Sequence, residues 1–297
     1  MLTYVSDFPR PQAVINAQAQ MFVQPDPWRW LCEAQDDQIS LLDASLLIAM
    51  DEYPKLDVAA IRGQFAQLAH AADVAAGAHS GALARLKSLN HFLFETHGFA
   101  GNFLDYYNPR NSYLNDVLER KLGIPISLAV IYIELGRSLG VDLSGVSFPG
   151  HFLVRVPVEG GLIIIDPFNR GKSIGADELK FRASGSGEDE APSEDELFRL
   201  LTPCDNKTVL IRMLNNLKSL YRGEKDHMRA LRVVHRLVQM TGSVYERRDR
   251  GLLYIQVGAH YAARADLSSY LAAHPNSSDA VDVRLALLSA QSGPRVN

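Results

Sequence analysis

Residues 123–166 constrain the fold more than any other part of the chain, because the hydrophobic period changes inside them. Ile126, Leu128, Ala129, Ile131, Tyr132 and Leu135 lie on a predicted helix over 126–139 that is apolar on most faces and stops at Gly140. A helix without a polar face has to be wrapped by other elements. Pro125 suits its first turn, where a missing N–H costs nothing. Residues 146–156 and 161–166 then form two short β-rich runs, joined by Pro157-Val-Glu-Gly160 with a turn signal at Gly160-Gly161. They predict an antiparallel hairpin, with His151 on the first strand and Asp166 ending the second. A buried helix beside a small antiparallel sheet makes the chain α+β, and mostly helical.

The rest is helical by period. Leu41, Leu42, Leu46 and Leu47 lead to a break at Pro54, and Val58, Ile61, Phe65 and Leu68 follow at three- and four-residue spacing. Leu83, Leu86, Leu89, Phe92 and Leu93 make a third stripe. These predict a helical N-terminal subdomain. Asn111 or Ser112 caps a further helix over 113–121. Residues 1–37, rich in Pro and Gln, read as an irregular leader, and 38–182 as one domain. Residues 183–204 begin with an acidic, Gly- and Ser-rich run and read as a flexible linker. Residues 205–297 read as a helical domain. There Leu217, Leu220, Tyr221 and Ala230 recur as Leu252, Ile255, Gln256 and Ala265, an offset of 35 positions. Tetratricopeptide helix pairs repeat at ~34 residues.

Charge narrows the functions. With 30 basic and 34 acidic residues the net is −4, which gives no broad attraction to nucleic acid or an anionic membrane. No run of ~18 uncharged apolar residues is present, so no membrane span is expected. The two cysteines, Cys32 and Cys204, are far apart and fit a reduced, cytoplasmic setting. No close His or Cys pair has metal-ligand spacing, and no phosphate or dinucleotide fingerprint occurs, so neither metal nor cofactor is expected. Arg247, Arg248 and Arg250 are expected to pair with Glu246, Asp249 or other acids of the helical region.

Three polar residues stand where chemistry could occur. Ser127 is in the first turn of the buried helix, His151 lies between Gly150 and Phe152, and Asp166 precedes Pro167. A nucleophile, a base and a group orienting that base are what nucleophilic catalysis needs. A helix start also favours developing negative charge. Asn108 and Asn111 are candidate oxyanion donors. Each of the three residues equally suits a structural role: a first-turn serine, a hydrogen-bonded core histidine and an Asp-Pro turn.

Gly123-Ile-Pro-Ile-Ser-Leu-Ala-Val, Pro149-Gly-His-Phe-Leu-Val and Ile165-Asp-Pro-Phe together resemble the transglutaminase core of papain type. In that core a cysteine opens a helix, a histidine sits on one strand and an aspartate on the next. The resemblance aligns Ser127, His151 and Asp166 with these three. Ala49-Met-Asp-Glu-Tyr-Pro54, Leu89-Asn-His-Phe-Leu-Phe94, Arg212-Met-Leu-Asn-Asn-Leu217 and Glu246-Arg-Arg-Asp-Arg-Gly251 extend it to the bacterial SirB-type proteins. That family joins a transglutaminase-like domain to tetratricopeptide-like helices, and the likeness covers roughly residues 40–285. A serine cannot reach the thiolate-like state open to a cysteine at a helix start. The resemblance therefore implies a noncatalytic binding or regulatory protein, engaging protein or peptide through the helical repeats or the transglutaminase-like cleft. Its alternative is a serine-dependent acyl hydrolase or acyltransferase using Ser127, His151 and Asp166.

Overall fold

In the computed structural model, which describes residues 21–77, 81–184 and 192–292, helices begin where side chains can cap them. Asp26 caps α1 (Pro27–Glu33), Ser40 caps α2 (Leu41–Met50) and Asp57 caps α3 (Val58–Ala76). α4 (Ala82–Asn90) runs on into one wider turn, His91–Thr96. The chain divides into two compact units, Met1–Leu210 and Ile211–Asn297.

The leader expected over 1–37 contains α1, whose Trp28 and Leu31 are buried. Those two side chains give the segment a reason to fold that its prolines conceal. Residues 1–20 lie outside the described residues.

β1 (Ala100–Gly101) pairs in parallel with β2 (Leu122–Gly123), which follows α5 (Leu114–Arg120). α6 (Pro125–Ser138) is the expected buried helix. Residues 126–135 are all buried, Ser127 and Glu134 among them. Beside it stands an antiparallel sheet in the order β3 (Ser144–Val146), β4 (Leu153–Val158), β5 (Gly161–Asp166), β6 (Lys172–Ile174). Register is set by pairs such as Val154 with Ile165 and Val156 with Ile163.

Two expectations change here. The first strand is not continuous over 146–156: Gly150 takes φ +65, and His151 N–H bonds to Phe148 C=O at 3.1 Å. His151 therefore sits in a turn before β4, not on a strand. The stretch 183–204 is also more than a linker. α7 (Ala176–Ala183) ends inside it, and α8 (Glu194–Leu200) begins at a Ser193–Glu196 capping box. Leu197 and Leu201 join Val146, Phe148, Leu153, Ile164, Ile174 and Leu179 in one buried cluster on the sheet. The acidic centre of that stretch, 185–191, lies outside the described residues.

α9 (Asn206–Gly223) begins in the first unit and ends in the second, which continues with α10 (His227–Thr241), α11 (Val244–Gln256), α12 (His260–Ala273) and α13 (Ala280–Ser292). The helix ends Gly223 and Gln256, and the starts His227 and His260, each recur after 33 positions. The expected offset of 35 aligned Ala230 with Ala265. Ala230 and Ala263 are the fully buried pair, and Ala265 is exposed. Gly251 lets α11 approach α12, since a Cβ there would lie 2.6 Å from Leu267. Arg250 clamps Asp266 with two bonds of 2.7 and 2.8 Å, and Arg248 reaches Asp249 and Asp279, both at 2.7 Å. These arginines pair as expected, while Arg247 Nε is buried without a hydrogen-bond partner.

Candidate functional site

The first unit brings the ends of β5 and α6 and the loop after β1 into one neighbourhood. Asp166 ends β5 and is fully buried. Its Oδ1 accepts from the His151 ring at 2.9 Å and from the Phe168 and Asn169 N–H groups. Its Oδ2 accepts from the Asn169 side chain and from Arg182 Nη1 at 3.0 Å. Burial, the largest influence, pushes this carboxyl up. The bonds from His151, Asn169 and Arg182 together outweigh it and hold Asp166 at about 2. An ionised carboxylate only accepts, so Nε2 of His151 carries the proton in this pair.

Arg182 is held in turn by Glu178, one turn earlier on α7, at 2.6 Å. Sequence reading singled out His151 and Asp166 and missed Asn169 and Arg182. Asn169 could have been found as a short-range partner of a turn-forming Asp-Pro. Arg182 carries no local signal.

Ser127 occupies the third position of α6 and is fully buried. Its hydroxyl donates to Asn111 C=O at 2.6 Å, with Ile124 C=O at 3.1 Å as a second acceptor. It accepts from Ile124 N–H at 3.1 Å. The space around it is closed: a Cβ on Gly123 would lie 2.7 Å from Ser127 Oγ. The structure thus joins His151 to Asp166 and joins Ser127 to Asn111.

Asn111 is a hub. Its Oδ1 accepts from Asn102 Nδ2 at 3.0 Å and Arg120 Nη1 at 3.2 Å. Its Nδ2 donates to the carbonyls of Asp105 at 2.7 Å and Tyr106 at 3.1 Å. Asn108 donates to Asp105 and accepts from Arg110 N–H. Both asparagines expected as oxyanion donors have their amide N–H groups engaged in shaping the loop over 102–108.

That loop is apolar and open to solvent. Phe103, Leu104 and Tyr107 are exposed, and Leu104 is fully so. The buried Phe168 ring links it to the histidine: ring centres lie 4.4 Å from Phe103, 5.8 Å from Tyr106 and 6.0 Å from His151. Gly101 permits this, because a Cβ there would stand 2.6 Å from Phe168. The result is an oriented imidazole at the margin of an exposed aromatic loop. Among the described residues no group of three or more His, Cys, Asp or Glu could hold a metal ion, and no helix is long and apolar enough to cross a membrane.

Residues 59–215 match the family model of the transglutaminase-like superfamily, and residues 217–288 match a tetratricopeptide repeat model. A UPF0162 protein of Xylella fastidiosa is 42% identical over 260 residues, covering 86% of this chain and 92% of the relative. Protein SirB1 of Salmonella typhimurium is 33% identical over 162 residues, covering 54% of this chain and 58% of its own. F-box only protein 21 of Homo sapiens is 36% identical over 147 residues, 47% of this chain and 22% of that protein. No solved structure shows significant similarity to the chain.

Proposed function

Because this chain belongs to the transglutaminase-like superfamily and carries tetratricopeptide repeats behind that domain, we propose that it is a noncatalytic binding or regulatory protein. The observation that carries this reading is the use made of Ser127. Its resemblance-aligned role is that of the nucleophile, yet its proton goes to Asn111 C=O at 2.6 Å within a fully buried setting. A hydroxyl attacking an acyl carbon must give its proton to a base within hydrogen-bond reach. Ser127 instead ties α6 to the loop that presents Phe103, Leu104 and Tyr107. An exposed apolar surface of this kind suits a protein or peptide partner, and the tetratricopeptide helices offer a second surface for the same class. Cys32 and Cys204 are not joined in a disulfide, which fits a cytoplasmic setting.

One observation favours a second reading, a serine-dependent acyl hydrolase or acyltransferase. The His151–Asp166 bond, 2.9 Å long and braced by Arg182, is how a general base is oriented.

Affinity capture separates the two when read beside turnover of an activated ester. The wild-type chain is expected to retain a bound protein that Phe103→Ser with Tyr107→Ser loses. No variant should hydrolyse the ester above its free rate. Hydrolysis by wild type that disappears in both Ser127→Ala and His151→Ala would establish the acyl-transfer reading instead.

A further inference from the structure

The start of α2 is sealed inside the first unit, and two carboxylates meet there. Asp43, in the first turn, is 2% exposed. Glu134, from α6, accepts the N–H groups of Leu41 and Leu42 at the head of α2 and an Arg137 Nη1 bond of 3.0 Å. Arg62 of α3 brings its Nε to 3.1 Å from Asp43 Oδ1. That is close enough for an ion pair but misaligned for a hydrogen bond, and both Asp43 oxygens lack one.

Arg62 and Arg137 are the cations that face the pair. Five other charged groups on the surrounding elements are engaged elsewhere. Asp116 of α5 is held by Arg110 and Tyr53. Arg29 and Glu33 of α1 pair with each other at the surface. Arg85 of α4 donates to Leu139 C=O. Asp36, in the turn before α2, accepts the N–H groups of Asn206 and Lys207.

We propose that Asp43 and Glu134 form a proton-linked pair: they carry one proton when the unit is most stable, and losing it as the pH rises loosens the seat of α2 against α3 and α6. Keeping two buried carboxylates ionised at one helix head is costly, because each loses its hydration. The Glu134 side is well satisfied by backbone and Arg137, so the deficit falls on Asp43. Burial first, and the charge of Glu134 second, raise Asp43 to about 7 against the pull of Arg62. Burial likewise pushes Glu134 up against Arg137 and the backbone donors.

The pair titrates as a unit. An unfolded carboxylate titrates at about 4. Between roughly 4 and 7 the folded chain therefore holds more protons than the unfolded one, and stability falls as pH rises through that window. Arg137 also donates to Asn206 Oδ1 at 3.3 Å, in the first turn of the helix that carries the chain out of the first unit.

Thermal unfolding of the full chain from pH 5 to pH 8.5 tests this. Wild type is expected to lose about 3 °C or more in Tm over that range. Asp43→Asn should flatten the profile and melt above wild type at pH 8.5. Glu134→Gln, which removes the neighbouring charge, should shift the midpoint of the decline to lower pH, and it carries the test if Asp43→Asn does not fold. Amide exchange at Leu41 and Leu42, corrected for its intrinsic pH dependence, should quicken across the window in wild type. A wild-type profile that is flat, or a decline left unchanged by Asp43→Asn and by Glu134→Gln, would overturn the proposal.

Discussion

Ser127 and Asp166 are both fully buried, and their partners explain why each is tolerated. The serine has two backbone carbonyls and one N–H within reach, and the aspartate has five donors across its two oxygens. For Asp166 this has a pH consequence. Its folded value of about 2 lies below that of an unfolded carboxylate, so its stabilisation is present above about pH 4 and fades as the pH falls toward 2. Urea unfolding at pH 5.5 and pH 3 should show wild type losing about 1 kcal/mol more than Asp166→Asn over that interval. An equal loss would mean that Asp166 is not held ionised in the fold. The helix start at Ser127 and the strand end at Asp166 were legible, whereas His151 was expected on a strand and lies in a turn. The partners of Ser127 and Asp166 were not legible, because Asn111 and Arg182 each lie 16 positions from the group they serve, and nothing local ties them to it.

At the scale of elements, period decides what can be read. α6 and the β4–β5 hairpin are legible because an all-round apolar helix gives way to β-rich runs within a few residues. α8 is masked by composition: Glu194, Asp195 and Glu196 look like solvent-facing linker, yet a capping box starts a helix there. Its apolar content, Leu197 with Leu200 and Leu201, is too short a stripe to announce a buried face. Leu197→Ala is expected to destabilise the first unit by about 2–4 kcal/mol, as truncating a packed leucine does, measured by denaturant unfolding. A change under about 0.5 kcal/mol would return this segment to the status of a linker. His151 is displaced from the expected strand by Pro149-Gly150, whose positive φ at Gly150 makes the turn that aims the imidazole back at Asp166.

For the whole molecule, a transglutaminase-like domain and a tetratricopeptide region stand in the order that the sequence motifs suggest, over residues 59–215 and 217–288. The repeat spacing of 33 rather than 35 shows the limit of aligning a few apolar positions: helix ends, not single leucines, define the unit. On the function proposed above, Ser127 serves as structure beside the His151–Asp166 pair. The most direct test is intact-protein mass spectrometry of the folded full chain after exposure to a serine-directed phosphonate. No adduct is expected, wild type and Ser127→Ala each keeping its own unmodified mass. A single adduct mapped to Ser127, and lost in His151→Ala, would contradict that structural role.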